Sequence, residues 1–404
     1  MKLDVPQLRD GGESTDSMEP LIVGETSRHR GLLTDLAIKL AQESASFRNR
    51  LPASLVASLA DLVRAMNCYY SNLIEGHDTH PIDIERALKK DYSNDPRKRD
   101  LQKEAEAHIA VQKWIDDGNL ELREVATEGI CEVHRRFCEL LPGGMLFVED
   151  PESHEKVPVI PGQMRRRDVR VGSHIPVSPG ALPRFMHRFE VVYGNLGLTD
   201  SILSAATAHH RLLWTHPFLD GNGRVARLMS HAMLLRVLDT GAIWSVARGL
   251  SRKTDEYKAH LADCDSPRRN DLDGRGHLSE EALARFTKFF LEICIDQVKF
   301  MQDLIQPDKL RERIALWAEE EIALDRLPPK SANVLRAILY RGDLPRADVA
   351  ITVGSTDRHA RRVVAALSGR GVITSGGGRD PWRLVFPASL ASRWMPGLFP
   401  DPRR

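Results

Sequence analysis

The stretch His216-Pro217-Phe218-Leu219-Asp220-Gly221-Asn222-Gly223-Arg224-Val225-Ala226-Arg227 lies between two apolar helical patterns and decides how the chain is read. His216 and Pro217 end the preceding helix, because a residue before proline avoids helical geometry. Gly221-Asn222-Gly223 reads as a tight turn in which a positive φ is tolerated. A new helix is expected from about Arg224, and its free N–H groups and positive dipole end form a cup for an anion. Arg224 and Arg227, three residues apart, project from one helix face. Asp220 is a hard oxygen donor suited to one or two positions of a Mg2+ shell completed by phosphates and water. His216 titrates near neutrality and can serve as a general base. One segment thus supplies a base, a metal ligand, an anion hole and two cations. Phosphoryl or nucleotidyl transfer requires that set, since its catalysis is mainly positioning and charge neutralisation. The plain alternative is a helix-connecting turn with a capping aspartate and surface arginines.

Outward from this turn, helical spacing dominates. Arg30–Ala45 carries Leu32, Leu33, Leu36 and Leu40 on one stripe, and Leu51–Ile74 carries Leu55, Leu59, Leu62, Val63 and Met66. Gly76 closes the second of these helices. Further helices are expected over 100–116, 122–141, 183–196, 201–215, 224–238, 252–263, 279–304 and 308–324. Strand-like alternation is rare; Lys156–Ile160 followed by Asp168–Val171, joined by Pro161, Gly162 and basic residues, reads as a short β-hairpin. Pro328-Pro329 marks a shift in composition. Beyond it three helices, 332–340, 346–353 and 355–369, precede two strands, 372–374 and 382–386, around Gly376-Gly377-Gly378. That order is a winged helix-turn-helix pattern.

The segment 216–227 resembles the signature of the Fic family, HPFx(D/E)GNGRxxR, and matches it at every fixed position. The resemblance covers the helices of 122–238 and extends loosely over 51–304. It implies a mainly α, Fic-type helical fold and transfer of AMP from ATP to a hydroxyl of a protein target. By matching positions, His216 resembles the base that deprotonates the target and Asp220 the Mg2+ ligand. Gly221, Asn222 and Gly223 resemble the anion hole, and Arg224 and Arg227 the phosphate-binding arginines. Kinase-like members replace residues inside the Gly-Asn-Gly turn; this sequence keeps them, which favours AMP transfer. The nucleobase stays open, because other nucleotide donors occur in the family.

Ser71-Asn72-Leu73-Ile74-Glu75-Gly76 resembles a second family motif, (S/T)xxxE(G/N), on an inhibitory helix. The resemblance implies that Glu75 pairs with Arg227 and takes the cation from the γ-phosphate. Self-inhibition is expected; removal of AMP by a water that Glu75 orients, alone or beside transfer, is one alternative, and a DNA-binding regulator that uses the Fic-like segment as a nucleotide sensor is another. Gly162, Gln163, Met164 and Arg165 resemble the flap that clamps a target by strand addition. Arg165, Arg166, Arg167 and Arg170 there suit an acidic target or form a solvated basic loop. Tyr257 is expected either to stack on a purine or to be a partly buried tyrosine. His209, His210 and His134 read as packing residues, because their spacing from His216 is not that of the paired metal histidines in HExxH.

The 404 residues suggest two to three domains. We divide them into a mobile N-terminal tail (1–26), an N-terminal helical region with the inhibitory motif (27–115) and a catalytic core (116–305). A linker helix (306–330) and a winged helix (331–404) follow. The net charge of +1 advertises neither nucleic acid nor membrane. The last 75 residues nevertheless hold thirteen Lys/Arg against five Asp/Glu. Arg358, Arg361 and Arg362 would stand together on a recognition helix, so DNA is a candidate partner beside intramolecular packing or dimerisation. Five scattered cysteines without a CxxC pair fit reduced thiols, and no apolar run is long enough to span a bilayer. With no apolar leader, the expected compartment is the cytoplasm. The faces of Leu32–Leu40 and Ser279–Leu304 read equally as core or as a homodimer surface.

Overall fold

A computed structural model describes residues 8–150 and 153–400 of the chain. The apolar stripes condense into α1 (Arg30–Asn49), α2 (Ala53–Ile74), α3 (Pro81–Leu88), α4 (Pro96–Asp116) and α5 (Thr127–Glu139). Two short strands follow, β1 (Phe147–Glu149) and β2 (Lys156–Pro158), then α6 (Leu182–Tyr193), α7 (Leu198–Thr215) and α8 (Asn222–Leu238). The next four helices are α9 (Val246–Arg252), α10 (Thr254–Cys264), α11 (Glu280–Leu304) and α12 (Pro307–Ala323). Local chemistry sets many ends. Asp95 accepts from the amides of Arg97 and Lys98 with Pro96 at the first helical position of α4, and Ser279 caps α11 through the Ala282 amide. α2 stops at Gly76, whose φ is +85°. There the Gly76 amide donates to Leu73 and the His77 amide to Asn72, satisfying carbonyls that the helix leaves unpaired.

α7 and α8 form the centre of the core. From Ser201 to Leu212 every α7 side chain is buried, and α8 is buried on nearly every face through Leu234. α1, α6 and α11 pack on α7, while α4 and α5 pack on α8. α2 lies against α4 and α9. Each fully enclosed side chain, such as Phe185, Phe189, Phe286 or Phe290, contributes about 1.5–3 kcal/mol. α1 and α11 pack against each other, so the two stripes that also suited a dimer surface meet within one chain; Leu32 and Ile38 remain exposed.

Three expectations are corrected. Residues 8–26, read from composition as a mobile tail, form a strap on the body: Met18, Leu21 and Val23 are buried. Asp10 pairs with Arg184, and the Tyr193 hydroxyl donates to the Leu21 carbonyl. Polar residues dominate this stretch, but three apolar side chains suffice to anchor it. The remaining tail residues, 1–7, lie outside the described residues. The hairpin forms, with different partners: β2 pairs antiparallel with β1, in register Val148↔Val157, not with Asp168–Val171. Asp168–Val171 runs as irregular chain with a single bridge from Val171 to His174. Helix 122–141 begins later, at Thr127.

After α12 come α13 (Ser331–Arg341), β3 (Asp343–Leu344), α14 (Val349–Val353), α15 (Asp357–Gly369), β4 (Ile373–Thr374) and β5 (Trp382–Leu384). The three strands make one antiparallel sheet in the order β3-β5-β4. The chain then turns back onto α2. The Tyr70 hydroxyl donates to the Leu398 carbonyl at 2.9 Å, and Phe399 meets Tyr69 edge to face. Among the described residues no helix is long and apolar enough to cross a membrane.

If the strap belongs to the core, Leu21→Ala costs about 2–5 kcal/mol of stability, as other enclosed leucines do. Chemical denaturation measures it, and a loss below about 0.5 kcal/mol, the surface value, would refute the assignment.

Candidate active site

The turn between α7 and α8 is built from backbone special cases. His216 caps α7 with a left-handed φ of +50°, its amide donating to the Leu212 carbonyl at 2.9 Å. Gly221 precedes α8 with φ +83°, a conformation costly for any side chain. Between them the Asn222 carboxamide clasps the Phe218 backbone: Oδ1 accepts from the Phe218 amide at 3.0 Å and Nδ2 donates to its carbonyl at 2.8 Å. The Asn222 side chain thus faces inward and braces the turn, leaving its backbone amide for the cup. α8 begins at Asn222, two residues before the sequence suggested. The amides of Asn222, Gly223 and Arg224 therefore lie in the first turn, where a helix has no acceptor of its own. The Asp220 side chain is exposed beside them.

His216 is half-buried. Its Nδ1 lies 3.3 Å from the Leu213 carbonyl, which fixes the proton there and leaves Nε2 with its lone pair. Burial, aided by the charge of Arg165, pushes the imidazole down to about 4, below the near-neutral value expected from the sequence, so the ring is neutral at pH 7 and its Nε2 lone pair can accept a proton.

Both arginines of the turn are held by carboxylates. Arg227 donates through Nε to Ser71 Oγ at 2.8 Å and is ion-paired with Glu75, whose side chain keeps 31% exposure. Burial opposes ionisation of Glu75, but Arg227 and then Arg224 outweigh it and hold the carboxyl below its usual range. The approach is close: a methyl on Gly223 would lie 2.5 Å from Glu75 Oε1. Arg224 is ion-paired with Glu104 of α4, a side chain only 1% exposed. His77 Nδ1 sits 2.8 Å from the other Glu104 oxygen, and that hydrogen bond raises the imidazole above its ordinary value. Glu104 and His77 were not found from sequence. A charged residue inside a helical stripe looks like any solvated glutamate, and only the packing of α4 on α8 shows that it is enclosed.

Residues 124–234 match the model of the Fic/DOC family. This stretch, which includes α5 to most of α8, is similar to a Fic/DOC domain. The chain is similar to the protein adenylyltransferase Fic of Drosophila erecta, 31% identical over 170 residues, which span 42% of this chain and 31% of that protein. The namesake of Drosophila grimshawi is 32% identical over 171 residues, covering 42% and 32%. The chain thus spans about a third of the length of the curated relatives it matches. Among solved structures, a Fic family protein from Desulfovibrio desulfuricans superposes with a TM-score of 0.49 at 17% identity, covering 87% of this chain and 96% of that one. A Fic domain containing signaling protein from Bacteroides thetaiotaomicron gives 0.48 at 18%, covering 66% and 95%.

Around the turn between α7 and α8, the other expected residues divide. Gly162 and Met164 are half-buried and Gln163 is exposed on the segment after β2. Arg165 is not free to meet an acidic target. It is 3% exposed, its amide donates to the Pro217 carbonyl at 2.8 Å, and its guanidinium serves the carbonyls of His216, Arg167, Thr215 and Val177. Arg167 pairs with Glu155, while Arg166 and Arg170 stay exposed. Tyr257 presents no ring to a base: it is 2% exposed and its hydroxyl lies 2.6 Å from His209 Nε2. His209 and His210 are enclosed, the first bonded also to Ser230 and the second to Asp265 and the Leu261 carbonyl. Among the described residues no three His, Cys, Asp or Glu side chains converge on a metal position. Asp220 alone suits a cation that takes its remaining oxygens from phosphate and water.

Burial holds His108 and His209 down to about 3 and His210 to about 4. Unfolded, each titrates near 6.5. As pH falls below that value, the unfolded chain binds protons that the folded chain refuses. Each histidine then removes up to about 1.4 kcal/mol per pH unit, until its folded value is reached. Unfolding free energy should drop by at least about 1 kcal/mol from pH 6.5 to 5.5. Denaturant titrations at both pH values test this, and a flat profile would contradict it.

Proposed function

We propose that the chain is a self-inhibited protein adenylyltransferase, moving AMP from ATP to a Ser, Thr or Tyr hydroxyl of a target protein, itself included. The observation that carries the reading is the His216 tautomer: a neutral ring with Nδ1 engaged and Nε2 available, next to a helix start whose amides lack helical acceptors. In the transfer, Nε2 takes the hydroxyl proton while the oxygen bonds to the α-phosphorus. The bond from that phosphorus to the bridging oxygen breaks, and pyrophosphate leaves. The first-turn amides of α8 with Arg224 and Arg227 neutralise the phosphates. Asp220 would hold Mg2+, which shields phosphate charge when bound.

The Glu75–Arg227 pair supports built-in inhibition. It withdraws a cation from the triphosphate and sets a like charge beside it. Incubation with ATP and Mg2+ followed by intact-mass analysis tests both parts. Glu75→Gly should raise AMP incorporation roughly tenfold or more, and adding His216→Ala should lower it at least about a hundredfold, as loss of a general base does. Labelling that ignores both substitutions removes the proposal. If Glu75 instead orients a water that removes AMP, pre-labelled target loses its label with wild-type protein and keeps it with Glu75→Gly.

The C-terminal unit suits a second role. Its order of helices and strands is that of a winged helix, and α15 turns Arg358, Arg361 and Arg362 to solvent. These arginines would contact DNA phosphates. Duplex binding should weaken steeply with salt, with Arg361→Ala and Arg362→Ala each lowering the slope of log K against log salt by about one. Mobility-shift titrations at several ionic strengths measure this, and a duplex that is not retarded at low salt ends the idea.

A further inference from the structure

His134 of α5 has no place in the transfer chemistry, yet both of its nitrogens are engaged at the edge of the site. Its side chain is fully enclosed, and the ring lies parallel to that of Phe218 with centroids 3.9 Å apart. The Gly162 amide donates to Nδ1 at 2.9 Å. An amide can only donate, so Nδ1 carries the lone pair and the proton is on Nε2. Nε2 in turn donates to the Asp220 carbonyl at 3.2 Å. One rigid ring thus joins the segment after β2 to the turn that presents Asp220 and the α8 amides.

We propose that His134 is a positioning residue that locks the segment after β2 to the nucleotide-binding turn, so that a target hydroxyl and the α-phosphorus are presented in one register. The inference rests on the transfer reading above. The two bonded partners are shaped for this contact. Gly162 has φ +73°, and a Cβ there would fall 2.8 Å from Arg135 Cβ and 3.1 Å from the Cys131 carbonyl, both on α5. Gly221, next to Asp220, has φ +83°, and its Cβ would meet His134 Cδ2 at 3.4 Å. Both segments therefore approach α5 closely, through left-handed glycines, on either side of the same imidazole. Arg165 continues the seam with its amide on Pro217 and its guanidinium on His216. An apolar side chain could fill the volume, but it would strand a buried amide and a carbonyl. Imidazole offers an acceptor and a donor on one inflexible frame.

Two substitutions separate positioning from space filling. His134→Phe keeps an aromatic ring over Phe218 and loses both polar contacts. His134→Gln restores an acceptor and a donor. Both are made in the Glu75→Gly protein, whose AMP transfer is uninhibited. With His134→Phe, kcat for transfer should fall about tenfold or more while KM for ATP moves less than about threefold, as expected when alignment is lost rather than nucleotide binding. Amide hydrogen exchange at Gly162 should quicken about tenfold or more once its acceptor is gone. His134→Gln should return kcat and exchange to within about threefold of the parent. A Phe variant with parental kcat and Gly162 protection, or a Gln variant no better than Phe, overturns the proposal. Should the parent transfer no AMP, the transfer reading fails, and Gly162 exchange still decides whether His134 is the lock.

Discussion

Two hydrogen bonds from one side chain, the Asn222 carboxamide onto the Phe218 amide and carbonyl, set the shape of the turn on which the site depends. They close the loop between α7 and α8 from within. His216 can then leave α7 in a left-handed conformation, and Gly221 can swing the chain into a new helix. The helix start is free to face outward because its own first residue braces the loop behind it. Were that carboxamide turned to solvent, the loop would lose both bonds and the first-turn amides their fixed direction. α7 and α8 are enclosed on most of their faces, so the brace stands on a rigid base.

Charge is arranged around this turn in matched pairs. Each arginine that could meet phosphate already faces a carboxylate, Arg227 with Glu75 and Arg224 with Glu104, and the two carboxylates differ in kind. Glu104 is enclosed within a helix and shares His77. Glu75 stands at a helix end with its side chain partly open to water. A buried ion pair is hard to break because it leaves an unpaired charge in a poor solvent, and Arg227, with a side chain only 5% exposed, would be left so if Glu75 withdrew. The two carboxylates thus differ in exposure, 31% for Glu75 against 1% for Glu104, while both arginines are enclosed.

Much of this was legible in the chain. Proline after His216, glycines around Asn222 and the three-residue spacing of the arginines each constrain the backbone locally, so the turn and the start of α8 could be read to within two residues. The pairing of Glu75 with Arg227 was implied by resemblance and the two lie together in the structure, whereas the bond from Arg227 to Ser71 was not anticipated. What escaped was set by tertiary packing. Lys156–Pro158 alternates in a way that fits any partner strand, and β1, three residues long, left too little pattern to claim it. Arg165 looked like one of a solvated basic run because nothing local says that four backbone carbonyls will converge on it. Tyr257 sits on a helix that is exposed over most of its length, and tertiary partners, the α7 histidine His209 and the ring of Phe286, draw its ring inward.

α2 carries two neighbouring side chains with different duties. Tyr70 is bonded to the C-terminal segment at Leu398, and Ser71, about 100° further round the helix, holds Arg227. No flexible joint separates them; they share one stiff rod. The segment at Leu398 and the Arg227 side chain thus share α2 as a common support. Leu398 and Arg227 are therefore anchored on successive residues of one helix, with no loop between the two anchoring points.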